Sequence, residues 1–276
     1  MASITQPSPN AFTRYLRQQQ NVLIIWGVLI IIFIIASFLS ESFTGTRNLI
    51  NLTRQSAALL LVALAQTFIL ISGGIDISVG STVSLIVMVM APLMTNDPAS
   101  MFFVALVGVG VGTVVGLLNG IFVTRLKLPP FMVTLATLSI FRGLALQLRQ
   151  NPPATIPKEF STYFTGELFG LPIPLFIILF CTLLASLVLR YTRFGRHLYA
   201  VGSNENATRL SGMPTDRIKL FAYVTCGFIT GLAGIYWAAR SRAADPLTGE
   251  NFAFDSITAA VLGGTSLFGG VGSVWG

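Results

Sequence analysis

Long apolar runs recur along this chain, and they constrain its fold more than any other feature. Asn21–Leu39, Leu171–Leu189 and Phe221–Ala239 contain no charged side chain. Crossing about 30 Å of hydrocarbon takes roughly 20 residues of helix at 1.5 Å each. Four further runs approach or exceed that length: Ser56–Ser72, Ser78–Met94, Met101–Thr124 and Phe131–Leu148. A last apolar stretch starts near Ser256 and runs to the final residue. Backbone groups in lipid must be satisfied within the spanning structure, and the two-residue alternation of an outer-membrane barrel is absent. The fold class read from this pattern is all-α, a polytopic transmembrane helix bundle.

Composition supports the same reading. Charged residues make up 10% of the chain, against about 25% for a soluble domain. The net charge of +7 is scattered between apolar blocks and forms no soluble basic face, so nucleic acid is not an expected partner; the lipid bilayer is. With the N-terminus inside and the spans alternating, the segments around Arg125–Lys127 and Arg190–Lys219 fall inside. Glu41–Arg54, Arg149–Gly170 and Arg240–Phe254 fall outside. The inside set then holds Arg14, Arg17, Arg125, Lys127, Arg190, Arg193, Arg196, Arg209, Arg217 and Lys219, ten of the 17 basic residues. Residues 1–20 read as a cytoplasmic tail and 21–276 as one transmembrane domain. The first run exceeds a signal-peptide core and lacks a small-residue cleavage site, so it reads as a retained span.

Several chemistries find no residues to carry them. Cys181 and Cys226 lie inside apolar runs and read as small hydrophobes. His197 is the single histidine, so neither a metal site nor general acid–base catalysis is expected. No GxxxxGK[ST] loop and no Ser/His/Asp set is present. The expectation is a transport subunit without cofactor, with any ATP hydrolysis in separate subunits.

Three features point to function. First, GGIDISVGS (Gly73–Ser81) interrupts nearly forty apolar residues and carries their only acid, Asp76. An ionisable group at membrane depth is expensive and normally faces protein or water. Two readings stay open: a tight turn in which Asp76 or Ser78 caps the next helix, or a discontinuous helix lining a solute path. The second would make Gly73, Gly74 and Asp76 path or gating residues. A second Gly-interrupted segment, Gly263–Gly276, is a loose candidate for a paired break. Second, Gln66, Asn119, Thr134 and Thr137 either hydrogen-bond neighbouring helices or line the path. Arg142, near a helix end, can snorkel. Gly108, Gly112, Gly116 and Gly120 stripe one helix face, and Gly227 and Gly231 repeat the spacing; this suits close helix contact within a subunit, or alternatively between subunits.

Third, the inside loop 191–219 is polar, basic and carries helix signals. Ser203 can cap a short helix starting at Asn204. Glu205 and Arg209 stand four apart in the favourable order. Gly212 can end the helix in the left-handed conformation, with Pro214 blocking its resumption. A helix of about two turns is marginal alone. It rests on headgroups, or it docks on a cytoplasmic partner.

Taken together, Ser56–Ser81, Leu128–Leu146, Gly195–Leu220 and Phe254–Gly276 resemble the monosaccharide permeases of bacterial ABC importers, the ribose, xylose, arabinose and galactose type. The resemblance covers nearly the whole chain after Ser40. It implies a multi-pass protein of the cell inner membrane working by alternating access. The implied partners are a second permease subunit (identical or related), cytoplasmic ATPase subunits and a periplasmic sugar-binding protein. It also implies that Glu205–Gly212 is the coupling segment that docks on the ATPase, with Ser203, Glu205, Ala207, Arg209 and Gly212 as the residues concerned. Asn206 stands where an acid or alanine is common. Family members continue with further apolar spans beyond GGVGSVWG, so the chain reads as truncated. The rival readings are an ATP-independent carrier or channel and an amino-acid permease of a related importer.

Overall fold

The computed structural model describes residues 20–149 and 154–276. The expected N-terminal tail, with Arg14 and Arg17, therefore lies outside the described residues except for Gln20. Helix α1 (Gln20–Leu39) exposes Ile24 and nearly every large apolar side chain from Val28 to Ile35. A helix that is apolar on all sides and uncovered by protein has lipid as its solvent. Helix α2 (Thr46–Ile71) follows, then a break, α3 (Val79–Met90) and a 3₁₀ turn, Ala91–Leu93. Helices α4 (Pro98–Thr124), α5 (Pro130–Gln147) and the short α6 (Lys158–Thr165) come next. A two-stranded antiparallel hairpin, β1 (Glu167–Leu168) with β2 (Leu171–Pro172), leads into α7 (Ile173–Tyr191). The chain continues through α8 (Arg193–Ser203), α9 (Glu205–Leu210), α10 (Thr215–Ser241) and α11 (Phe252–Leu262).

Helices α2, α4, α5, α7 and α10 are long and apolar enough to cross a membrane. Ile24–Leu39 of α1, Val79–Leu93 and Phe252–Leu262 are shorter apolar helices. The chain is an all-α, multi-pass membrane protein. Helix starts follow local chemistry. Pro98 opens α4 and the Asp97 carboxylate accepts from Ser100 N at 2.9 Å. Thr192 caps α8 in the same way, accepting from Gly195 N at 3.1 Å.

Helix α10 is the axis of the bundle and packs on α4, α2 and α3. The glycine stripe of α4 explains why α10 and α4 lie so close. A Cβ on Gly112 would collide with Gly227 O, one on Gly116 with Tyr223 O, and one on Gly227 with Gly112 O. Two backbones are in direct contact, which only residues without side chains permit. The stripe is therefore an internal helix contact, not a subunit interface.

Three expectations are corrected. Helix α2 starts ten residues before Ser56: its 26 residues make about 39 Å of helix, about 9 Å more than the hydrocarbon is thick, so the first turn and a half, with Arg47, exceeds what a span needs. The run Ser78–Met94 is not a full span. Helix α3 has 12 residues, about 18 Å, and all but Val89 are buried by protein. The last apolar stretch likewise stops as helix at Leu262, because Gly264, Gly269 and Gly270 take positive φ.

Two short apolar helices meet inside the bundle. Helix α3 packs on α10, and α11 packs on α2. Each short helix leans on a long helix from a distant part of the chain. Their N-terminal ends meet where Gly80 lies against Gly249; a Cβ on either would overlap the other's carbonyl oxygen. Gly249 N also donates to Ser84 Oγ at 3.0 Å.

Candidate functional site

The candidate residues form two groups, one buried under the end of α2 and one on the basic end of the bundle. At the first, α2 closes with a left-handed glycine. Gly73 has φ +79°, its N–H reaches Leu70 O at 2.9 Å, and Gly74 N reaches Ile69 O at 3.0 Å. That is a Schellman ending, which satisfies two orphan carbonyls. The chain then runs without regular structure to Ser78. The break is a connection largely buried by protein, from which α3 starts.

Asp76 sits in this connection, 3% exposed. Its Oδ1 accepts from Ser78 N at 2.8 Å and Ser78 Oγ at 2.6 Å. Asn119 Nδ2 donates to Asp76 Oδ2 at 3.3 Å and to Ser78 Oγ at 2.8 Å. With the Gln66 amide turned to suit its neighbours, its nitrogen donates to Asp76 O at 3.1 Å and its oxygen accepts from Asp76 N at 3.2 Å. Gln66, Ser78 and Asn119 thus form one cluster with Asp76 at its centre. The Asp76 side chain folds the turn ahead of α3 and does not cap that helix, since neither it nor Ser78 makes a side-chain bond to the first-turn amides. No cation pairs with Asp76 among the described residues. The Tyr223 hydroxyl and Asn119 Oδ1, buried nearby, have no partner among the described residues. Thr134 belongs to the same neighbourhood, its hydroxyl 3.4 Å from Ile75 O, whereas Thr137 bonds only its own helix.

The second group is the α8–α9 element. Its helix cap is Asn204, not Ser203: Asn204 Oδ1 accepts from Ala207 N at 2.9 Å. Ser203 closes α8 instead, its hydroxyl donating to Tyr199 O at 2.9 Å. Gly212 ends the element at φ +80°, with open space where a Cβ would stand. Arg209 Nη2 donates to Glu205 Oε1 at 2.8 Å, the expected i,i+4 pair. Three further links were not legible because their partners lie on distant segments. Lys219 of α10 binds the other Glu205 oxygen, Arg209 also reaches Asp216 at 3.3 Å, and Lys127 binds Asp216 from the α4–α5 connection. Five charges thus run in a chain from Lys219 of α10 through Glu205 and Arg209 of α9, back to Asp216 of α10 and on to Lys127 of the α4–α5 connection. Partial burial pushes the Glu205 carboxyl up, but hydrogen bonds and charge from Lys219 and Arg209 outweigh it and hold the group below its usual range.

The element also touches the break. Gly202 lies between the end of α2 and the C-terminal glycine segment, so that a Cβ there would strike Ile71 O and crowd Gly270 N. Gly270 N donates to Ile71 O at 2.9 Å, and the Tyr199 hydroxyl donates to Gly272 O at 2.8 Å. The α8–α9 element is therefore in direct contact with the backbone beside Gly73, three residues before Asp76.

Residues 48–274 match the family described as branched-chain amino acid transport system, permease component. The chain is 34% identical over 268 residues to the ribose import permease protein RbsC of Haemophilus influenzae, covering 95% of this chain and 81% of that protein. It is 37% identical to RbsC of Bacillus subtilis, covering 90% and 78% respectively. It is 36% identical to the D-allose transport system permease protein AlsC of Escherichia coli, covering 89% and 76%. No solved structure matches the chain. With that extent of match, and with membrane-spanning helices and a basic-end helical element in place, the chain belongs to this family of transport-system permease components.

Proposed function

We propose that this protein is the membrane-spanning subunit of an ATP-driven importer that carries a monosaccharide across the inner membrane by alternating access. What supports the sugar reading is that its relatives are named as ribose and D-allose permeases. The single structural observation that carries the ATP-driven part is α8–α9. It is a capped, exposed helical projection on the basic end, tied to α10 and the α4–α5 connection by the five-charge chain and to the break by Gly202. A cytoplasmic ATPase subunit docks on Glu205–Gly212. Its cycle moves α9, and the rigid links pass that motion to α10 and to the Gly73–Ser78 segment. The permease supplies differential stability of two conformations and no bond chemistry. A second permease subunit completes the path, and a periplasmic binding protein delivers the sugar. Gly73, Gly74, Asp76, Gln66 and Asn119 act as gating residues by holding the connection in shape.

The test is replacement of Glu205 by Lys and of Gly212 by Val, followed by co-purification with the ATPase subunit and sugar-dependent ATP hydrolysis. Loss of either, with normal membrane insertion, is the expected outcome. Unchanged assembly and coupling contradict the docking reading. Uptake of labelled ribose, allose and leucine by the same complex decides between sugar and amino acid.

A further inference from the structure

Basic side chains that share a hollow without enough carboxylates to balance them need a counter-ion, and the basic end of the bundle holds such a set. Arg125 after the end of α4, Arg209 of α9 and Arg217 of α10 wall one cavity of about 290 Å³, far more room than a single water needs. Asp216 is the one carboxylate in that wall, and Lys127 and Arg209 already hold it. Arg125 and Arg217 are exposed and have no acidic partner among the described residues. Three guanidinium groups gathered about one engaged carboxylate repel one another and attract an anion.

The level of this hollow follows from helix length. Helices α4 and α10 have 27 residues each, about 40 Å of helix, which matches the hydrocarbon together with both headgroup layers. Their ends therefore lie among headgroups. Arg125 directly follows α4, and Arg217 stands in the first turn of α10. Below each unpaired arginine comes an aromatic ring. Phe221 lies four residues beyond Arg217 and Phe122 three residues before Arg125, in each case one turn deeper on the same helix face. The two rings are 58% and 36% exposed. A cation at headgroup level above an uncovered ring in the hydrocarbon matches an amphiphile. An acidic patch on a soluble partner would neutralise the arginines and leave the rings bare.

We infer that this hollow binds the phosphate of an anionic phospholipid, whose acyl chains lie over Phe122 and Phe221. Basic pockets between the ends of spanning helices recognise anionic headgroups in this way, and a planar guanidinium can grip two phosphate oxygens at once. Arg125 and Arg217 take the phosphate, since both are unpaired, while Arg209 stays in the five-charge chain. The hollow's excess of positive charge favours a headgroup with net negative charge over a zwitterionic one. Arg209 belongs to both structures, so the lipid site shares a wall with the α9 projection.

The experiment titrates the full chain in detergent with dioleoylphosphatidylglycerol, dioleoylphosphatidylcholine and inorganic phosphate in turn. Native mass spectrometry counts bound lipid, and thermal unfolding is followed in parallel. Retention of phosphatidylglycerol over phosphatidylcholine is expected. Arg125→Gln combined with Arg217→Gln should weaken phosphatidylglycerol binding roughly tenfold to thirtyfold, with the lipid-free unfolding midpoint unchanged. The pair Arg125→Lys and Arg217→Lys keeps the charge and should recover most of the affinity. Arg47→Gln with Arg149→Gln removes two other exposed arginines and should leave the affinity as it is. Equal retention of the two lipids, or an equal loss in the Arg47/Arg149 control, overturns the site. Displacement of phosphatidylglycerol by inorganic phosphate overturns the lipid in favour of a free anion. Wild-type lipid affinity in the double glutamine variant, with loss of ATPase co-purification, overturns it in favour of an acidic protein partner. The titration involves neither ATP nor sugar, so its outcome and that of the importer reading are decided separately.

Discussion

Asp76 gathers more of the fold around a single side chain than any other residue. Its carboxylate receives Ser78 N, Ser78 Oγ and Asn119 Nδ2, so it shapes the connection while bonding α4. The Asp76→Ala variant strands those donors in a protein interior and should destabilise the protein by about 1–3 kcal/mol. The isosteric Asp76→Asn keeps one acceptor oxygen for Ser78 and should cost less. Unfolding in detergent checks the order Ala below Asn below wild type; equal midpoints for all three would mean that the cluster has no structural role. The same Asn variant separates mechanisms. If it abolished proton-coupled uptake in the absence of any ATPase, the secondary-carrier reading would replace the importer. In sequence, Asp76 was conspicuous as the only acid in a long apolar stretch. The link from Ser78 to Asn119, and Tyr223 beside Gly74, were not, since a hydroxyl in an apolar run signals nothing until its neighbours are known.

Among the elements, α4 and α10 form the contact on which the rest is assembled. Their stripe was readable because glycines four apart must share a helix face. That Gly227 would meet Gly112 was not, because the partner helix lies over a hundred residues away. The Gly227→Ala substitution forces a Cβ into the Gly112 carbonyl, and overpacking of this kind typically costs about 1–3 kcal/mol. Gly110→Ala, which meets open space, should be neutral or slightly stabilising through helix propensity. Thermal unfolding of both in nanodiscs gives the comparison; equal midpoints contradict the intimate α4–α10 contact. The short apolar helices were misread as spans for a physical reason. Hydropathy registers that a run is apolar, but protein burial and lipid exposure favour the same residues, so a 12-residue buried helix and the middle of a span look alike. The α9 cap shows the opposite case. The helix itself was legible from Glu205, Arg209 and Gly212, but its cap was read one residue early, at Ser203 and not at Asn204.

For the whole molecule, the arrangement is a bundle with one basic end, where Arg125, Lys127 and the α8–α9 element converge. Segments carrying Arg54, Glu167 and the Thr155–Ala243 bridge meet at the other. Charge bias along the sequence anticipated which segments share an end. It did not anticipate that the segment after α10 dips back to touch Gly80, because nothing local marks Gly249 as a contact for a residue so far upstream. Transport in this account depends on a cytosolic motor gripping α9, with Gly202 and the five-charge chain passing the motion inward. The most direct measurement is sided labelling of Ser211→Cys, an exposed position at the end of α9, in cells and in inverted vesicles of the Cys181/Cys226-free protein. The account predicts reaction with an impermeant thiol reagent in inverted vesicles and protection when the ATPase subunit is bound. Reaction from outside intact cells, with none in inverted vesicles, would contradict it.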